Sequence, residues 1–193
     1  ARVIAGGIAL AELAHRGKVL AENKGARLLD VGDGVACLEF RSKMNTLGQP
    51  VIEMFVRALD HVGSRGMAGL VIGNDDPRTF AAGADLMLVA QGAAAGQWKE
   101  LEAAARGFQD AVMSIRRAPF PVVGAPHGLT LGGGCEFMLH ADRVQGHAER
   151  YMGVVEVGVG LLPGGGGTKE LLFRFTEDLM PYPEADQFEA VKR

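Results

Sequence analysis

Two glutamates, each beside a glycine-rich turn, are the residues of this chain best suited to acid–base chemistry. Glu136 falls in the first turn of a predicted helix that opens with the glycines 132–134, after the apolar run 120–125. Glycines at such a turn leave backbone N–H groups free to face negative charge. Glu156 lies in the apolar stretch 151–160, a setting that penalises ionisation and favours a carboxyl group acting as an acid. The pair indicates proton transfer beside a developing anion.

Each glutamate also has a purely structural interpretation. The charge of Glu136 would complement the dipole at a helix N-terminus, and Glu156 would accept hydrogen bonds from the backbone at a strand end. Two such residues, both next to glycine turns, favour catalysis over two independent structural roles.

Other kinds of site lack their sequence signatures. Residues 164–169 have the composition of a phosphate-binding loop, but its Gly-Lys-Ser/Thr order is absent. No Gly-x-Gly-x-x-Gly motif follows the first strand, and no Gly-x-Ser-x-Gly nucleophile motif is present. The histidines that lack metal-ligand spacing are interpreted as core or surface residues: His127, His140 and His147. We therefore predict no metal site.

Composition and charge limit the class of protein. The chain has 193 residues, 48% apolar and 22% charged, which is the balance of a globular domain with a substantial core. Its net charge of −3, with scattered basic residues, argues against a nucleic-acid partner. Cys37 and Cys135 stand far apart and form no disulfide framework, so we expect a reducing, cytoplasmic location. No apolar run approaches the ~18 residues of a membrane span.

Alternating β-strands and α-helices would position the two glutamates. Residues 8–24 predict an amphipathic helix ended by Gly25, and an Asp-Gly turn predicts a hairpin between 26–30 and 35–40. The pattern further predicts strands at 69–73, 120–125, 143–146 and 151–152, and helices at 51–63, 91–119 and 169–175. This alternation predicts an α/β fold with mostly parallel strands, whose ligands bind beyond the carboxyl ends of the strands.

Three segments together carry a resemblance to a known family. Segments 80–86, 128–136 and 153–168 resemble, in this order, the two oxyanion-hole motifs and the second glutamate segment of the crotonase superfamily. This superfamily is that of the enoyl-CoA hydratases and isomerases. The resemblance runs from about residue 26 to residue 172 and implies a crotonase-like fold, a spiral of ββα units.

The resemblance also implies a division of the chain. Residues 26–175 would form the crotonase-like core, preceded by a lead-in helix or linker at 1–25. Residues 176–193 would begin a C-terminal region whose further helices are truncated. The lead-in helix is similar to the linker of proteins in which a hydratase domain follows a 3-hydroxyacyl-CoA dehydrogenase domain. We therefore expect the chain to be part of a longer polypeptide.

Roles for individual residues follow from the same resemblance. The backbone N–H groups of Ala84 and Gly133 would form the oxyanion hole, and Glu136 and Glu156 would hold and activate water. Glu136 is predicted as the main water activator and Glu156 as the acid. Contacts with coenzyme A are predicted for one loop, with Lys43, Asn45 and Leu47, and for the turn with Ala82, Asp85 and Leu86.

The implied activity is hydration of 2-enoyl-CoA in fatty-acid β-oxidation. The substrate, an acyl-CoA thioester, carries coenzyme A itself, so no tightly bound cofactor is expected. Two alternatives stay open: an enoyl-CoA isomerase, which needs only one carboxylate, and a non-catalytic acyl-CoA-binding module. The resemblance further implies that the full-length protein forms a homotrimer or hexamer, or contains a fused dehydrogenase domain.

Overall fold

The structure, a computed structural model, describes residues 7–177. The strands of its larger sheet are β1 (Val19–Glu22), β2 (Ala26–Gly32), β3 (Val35–Phe40), β4 (Gly69–Gly73), β6 (Val122–Gly124) and β8 (Arg143–Val144). They lie in the order β1-β2-β3-β4-β6-β8. The first three pair antiparallel and contain the predicted hairpin, which is confirmed, and the others join in parallel.

A smaller sheet positions the three sequence motifs. It consists of the parallel strands β5 (Thr79–Ala81), β7 (Gly128–Leu131) and β9 (Arg150–Gly153), with β7 in the centre. Segment 80–86 continues from the end of β5, the glycines 132–134 follow β7, and the Glu156 segment follows β9. Because parallel strands end at the same edge of a sheet, the three motifs meet there.

Six α-helices cover the sheets in the described part of the chain. They are α1 (Leu10–His15), α2 (Gln49–Ser64), α3 (Leu86–Ala94), α4 (Trp98–Arg117), α5 (Gly133–His140) and α6 (Gly167–Glu177). Short 3-10 helices span Lys43–Asn45 and Glu156–Val159. The predicted helices near 51–63, 132–140 and 169–175 are confirmed.

The helix α5 is anchored by an aromatic cluster in the main core. The fully buried ring of Phe137 packs edge-to-face against Phe55, with ring centroids 5.0 Å apart, and against Phe40 at 6.1 Å. Such aromatic pairs contribute about 0.5–1.5 kcal/mol each beyond the burial of their area. Phe137 directly follows Glu136, so this packing also fixes the backbone that carries the glutamate.

The prediction of one helix over residues 8–24 is wrong. Helix α1 ends at His15, and Gly17 with φ +74° turns the chain into β1, which pairs antiparallel with β2. The Ala- and Leu-rich sequence has helical propensity, but pairing with a buried strand outweighs that small preference. The segment that precedes residue 26 therefore contributes a strand to the larger sheet.

Two further expectations differ from the structure. The predicted helix at 91–119 is divided between α3 and α4, because Gly96 adopts φ +69° between them. The predicted strands near 143–146 and 151–152 exist, but as β8 and β9 they belong to different sheets. Of the predicted C-terminal region 176–193, all but residues 176 and 177 lie outside the described residues. Among residues 7–177, none of the helices has the length and apolarity needed to cross a membrane.

Candidate active site

Two glycine turns come into direct contact at the carboxyl edge of the smaller sheet. Gly132, the first residue after β7, donates its N–H to the Gly153 carbonyl oxygen at 2.9 Å. A β-carbon placed on Gly83 would lie 3.0 Å from the Leu131 carbonyl oxygen and 3.2 Å from the Gly133 amide nitrogen. Gly83 also has φ +81°, a conformation that favours glycine. Segment 80–86 thus packs against segment 128–136 through a residue without a side chain.

Ala84 and Gly133 carry the backbone N–H groups that the resemblance assigns to an oxyanion hole. Ala84 is exposed, and Gly133 is the half-buried first residue of α5. Neither N–H donates to a partner within the described part of the chain, which for Gly133 is usual because it is the first residue of a helix. The Gly83 carbonyl oxygen accepts the Leu47 N–H at 2.8 Å and so fixes the turn before Ala84. Free donors on two adjacent turns can stabilise a negatively charged oxygen.

Glu136 is buried at the start of α5, with an exposed fraction of 2%. Its Oε1 accepts the N–H of Gly167, the first residue of α6, at 2.8 Å. Burial raises the pKa of Glu136 above its usual value. The Gly167 and Gly165 N–H groups oppose that rise, whereas the nearby negative charge of Glu156 adds to it. The carboxyl group is therefore held in place by a backbone donor, in surroundings that make ionisation less favourable than in water.

Glu156 is half-buried at the start of the 3-10 helix that follows β9. Its Oε2 is buried and has no hydrogen-bond partner among the described residues. A β-carbon placed on Gly132 would lie 3.1 Å from the other carboxylate oxygen, Oε1. Gly132 adopts φ +54° and ψ −125°, a backbone conformation that residues with side chains avoid. The glycine therefore allows both the turn and the close approach of the Glu156 carboxylate.

Phe108 of α4 forms a wall of the site that the sequence did not reveal. A β-carbon placed on Gly133 would lie 3.0 Å from Phe108 Cζ and 3.3 Å from Leu47 Cδ1. One placed on Gly165 would lie 2.2 Å from Phe108 Cε1 and 2.6 Å from Glu136 Oε2. The aromatic ring thus lies beside both Gly133, whose N–H is free, and the buried Glu136 carboxylate. The only sequence signal for this contact was the glycine run 164–167, whose partner on α4 is distant in sequence.

Comparison with known families identifies the family to which the chain belongs. A family model described as Enoyl-CoA hydratase/isomerase matches residues 30–175. The chain belongs to the enoyl-CoA hydratase/isomerase family. The matched range contains both glycine turns, both glutamates and the smaller sheet.

Relatives within and around the enoyl-CoA hydratase/isomerase family agree with this assignment. A probable 3-hydroxyacyl-CoA dehydrogenase of Bacillus subtilis is 47% identical over 153 residues, which cover 79% of this chain and 19% of that protein. The fatty acid oxidation complex subunit alpha of Vibrio campbellii is 38% identical over 135 residues, which cover 67% of this chain and 18% of that protein. The chain thus spans about a fifth of the length of these relatives.

Solved structures show the same fold. The enoyl-CoA hydratase of Bacillus anthracis superposes with a TM-score of 0.70 at 22% identity, covering 78% of this chain and 58% of that chain. An enoyl-CoA hydratase from Polaromonas sp. JS666 gives a TM-score of 0.71 at 23% identity, and the match covers 86% of this chain and 62% of that chain. The crotonase-like α/β fold predicted from the sequence is confirmed.

In this member of the enoyl-CoA hydratase/isomerase family, the residues predicted to contact coenzyme A have varied environments. Asn45 is 3% exposed, and its Nδ2 donates to the Thr79 carbonyl oxygen at 2.8 Å, so this side chain secures the start of β5. Asp85 caps α3 by accepting the Met87 N–H at 3.0 Å. Of the others, two are exposed, one is half-buried and one is buried: Lys43, Leu86, Ala82 and Leu47. Their contacts with coenzyme A stay predictions.

The histidines lie in the core or near the surface, as interpreted from their spacing. His140 is buried, His127 is half-buried and His147 is exposed. Among residues 7–177, no group of three or more His, Cys, Asp or Glu side chains is placed to hold a metal ion.

Proposed function

We propose that this chain hydrates 2-enoyl-CoA thioesters to 3-hydroxyacyl-CoA, a step of fatty-acid β-oxidation. One observation carries the proposal. The carboxylates of Glu136 and Glu156 lie close enough for one charge to raise the pKa of the other, beside the turn that presents the free Gly133 N–H. The family match supports chemistry on a CoA thioester. The paired carboxylates support addition of water over isomerisation, for which one carboxylate is sufficient.

The reaction requires an oxygen nucleophile at C3 of the acyl group and a proton at C2. The thioester oxygen would lie between the N–H groups of Ala84 and Gly133, where it gains negative charge as the C3–O bond forms. Each such donor contributes about 3 kcal/mol to lowering the barrier. No tightly bound cofactor takes part in this scheme, because coenzyme A enters as part of the substrate.

The two glutamates divide the proton transfers. The reacting form carries one proton on the pair, with Glu136 ionised and Glu156 protonated. Water held between them gives a proton to Glu136, its hydroxyl group bonds to C3, and Glu156 delivers its proton to C2. Proton exchange between the carboxyl groups restores the starting state, so the net change is the addition of one water molecule. Burial raises the pKa of Glu136, so its ionised carboxylate is a stronger base than an ordinary glutamate, which suits it to activating water.

The test is hydration of crotonyl-CoA by the intact polypeptide that carries this sequence and by Glu136→Gln and Glu156→Gln variants. Loss of acid–base catalysis should lower kcat by about 10³-fold in each variant. Glu102→Gln, in an exposed pair with Arg106 on α4, is the matched control and should keep its activity. Unchanged rates in both active-site variants would refute the proposal.

The same variants distinguish the two alternatives. An isomerase would turn over a 3-enoyl-CoA substrate in one of the variants that has lost hydration. A binding module would give heat of acyl-CoA binding in calorimetry, with no turnover even by the unmodified protein.

We also propose that the intact polypeptide contains a 3-hydroxyacyl-CoA dehydrogenase. The support is the name of the Bacillus subtilis relative, of which this chain matches 19%. The proposed hydration product is the substrate that this name specifies. Reduction of NAD upon addition of crotonyl-CoA to the intact polypeptide would support the fusion. Hydration without NAD reduction would oppose it. The trimeric or hexameric assembly and the cytoplasmic location stay predictions.

A further inference from the structure

A buried acidic residue, Glu170, gathers basic groups next to the candidate site. Its carboxylate is 1% exposed and contacts the guanidinium of Arg116. Its Oε1 lies 2.7 Å from Lys169 Nζ and 3.5 Å from His140 Nε2. Burial would raise the pKa of Glu170, but the hydrogen bonds from Lys169 and Arg116 outweigh burial and hold the pKa below its usual value. Glu170 is therefore ionised at neutral pH.

His140 is the neutral member of this cluster. Burial lowers its pKa, and its Nδ1 lies 2.8 Å from the main-chain oxygen of Glu136. In the neutral ring the Nδ1–H donates to that oxygen, and Nε2 has no hydrogen-bond partner in the described part of the chain. The 3.5 Å contact between His140 and Glu170 is thus not a hydrogen bond, and the basic groups that hydrogen-bond to Glu170 are Arg116 and Lys169.

The position of Glu170 connects this cluster to the catalytic carboxylate. Glu170 lies in the first turn of α6, and the N–H of Gly167, which begins that helix, donates to Glu136 Oε1 at 2.8 Å. Arg116 lies in the last turn of α4. The contact between Glu170 and Arg116 therefore fastens the N-terminal turn of α6 to a neighbouring helix at the point where α6 meets Glu136.

We propose that Glu170 is a positioning residue for Glu136. By holding α6 against Arg116 of α4, it keeps the Gly167 N–H in hydrogen-bond contact with the Glu136 carboxylate. The effect on catalytic rate rests on the proposed hydratase function, whereas the effect on the Glu136 carboxyl group does not.

A positioning role and a purely electrostatic role of Glu170 predict opposite changes in the pKa of Glu136 when Glu170 loses its charge. Glu156 after β9 and Cys135 on α5 are the titratable groups that interact with Glu136 directly. One turn further along α5 and α6, His140, Lys169 and Glu170 form a second group with Arg116 of α4. Loss of the Glu170 charge leaves Lys169 and Arg116 uncompensated, which by charge alone lowers the pKa of Glu136. Loss of the Gly167 donor raises it, because that hydrogen bond favours the ionised form.

The experiment is a pH titration of the Glu136 carboxyl carbon by ¹³C NMR, with the signal assigned from Glu136→Gln. In Glu170→Gln we expect the pKa of Glu136 to rise and kcat for crotonyl-CoA to fall about 10-fold at unchanged KM. Glu102→Gln, which removes an exposed glutamate, should change neither. A pKa that falls or stays constant in Glu170→Gln would overturn the proposal.

A second variant, Glu170→Asp, separates position from charge and decides the question if Glu170→Gln does not fold. It keeps the charge but withdraws the carboxylate by one methylene group. Positioning predicts a raised pKa of Glu136, and an unchanged titration would overturn it. If the intact protein shows no hydration but the titration shifts upward, the hydratase function fails and the positioning role stands.

Discussion

Gly83 lies directly against Gly133, although the two belong to turns that follow different strands. A β-carbon on Gly83 would lie 3.2 Å from the Gly133 nitrogen, closer than side-chain carbons normally approach backbone atoms. The backbone around Gly133 cannot shift freely, because it begins α5 and is held by the core packing of Phe137. The spacing between the N–H groups of Ala84 and Gly133 therefore depends on the absence of a side chain at residue 83.

Replacement of Gly83 by alanine should separate the two oxyanion donors. We expect kcat for crotonyl-CoA hydration to fall by about 100-fold, because small displacements of preorganised donors have large effects on rate. The control is Gly66→Ala. Gly66 also has positive φ, +60°, but a β-carbon there would meet nothing within 4 Å. Both variants should lose about 1 kcal/mol of stability from backbone strain. Equal activity in the two variants would contradict this account of the oxyanion hole.

Substitution of Glu136 by glutamine should stabilise the folded protein at neutral and alkaline pH. Burial raises the pKa of Glu136 in the folded state above its unfolded value. The ionised form therefore costs stability above the folded-state pKa, and this cost disappears as the pH falls below the unfolded value. Thermal unfolding should show a higher Tm for the variant at about pH 8 and a smaller difference at about pH 4. A variant that is less stable at the higher pH would show that ionised Glu136 is favoured by its surroundings.

The aromatic ring of Phe108 should limit the acyl groups that the site accepts. Phe108→Ala removes the wall beside Glu136 and Gly133. We expect the ratio of kcat/KM for long-chain over four-carbon 2-enoyl-CoA to rise about 10-fold. Phe120→Ala is a suitable control because Phe120 is half-buried against Gly63 of α2. An unchanged ratio in the Phe108 variant would place the acyl chain elsewhere.

Both cysteines should resist thiol reagents in the folded protein. Burial raises the pKa of Cys37 to about 12, with further contributions from the negative charges of Glu39 and Asp75. Burial, with Glu136 and Glu156 nearby, raises the pKa of Cys135 to about 11. Because the thiolate is the reactive form, neither should be labelled at about pH 7.5 until the protein is unfolded. Rapid native labelling of one cysteine would reveal local opening around it.

The sequence predicted the elements with strong patterns better than the contacts between them. The hairpin of β2 and β3 and the helix α2 could be predicted because the Asp-Gly turn and the apolar face of the helix are local signals. The strands β5 and β7 have only three and four residues and were missed. Runs this short carry little periodicity, yet these strands position the turns that contain Ala84 and Gly133.

The other features that the sequence did not predict depend on contacts between residues far apart in the chain. Asn45 adopts φ 52°, and its side-chain amide donates a hydrogen bond to the Thr79 carbonyl oxygen. No residue close to Asn45 in sequence indicates this hydrogen bond. The contacts of Phe108 with Gly165 and of Arg116 with Glu170 join α4 to α6, whose separation in the chain hides them from pattern analysis. The site residues that the sequence did indicate are those with a family motif around them.

The strand β1 has a consequence for self-association. β2 is buried along most of its length, with Ala26, Leu28 and Leu29 fully enclosed, and β1 occupies its outer hydrogen-bonding edge. Removal of residues 19–22 would expose that edge as a row of unpaired N–H and carbonyl groups on an apolar strand. Such an edge is a template for aggregation between molecules. The short segment before the hairpin thus replaces a long, apolar sheet edge by one of only four residues, in addition to extending the sheet.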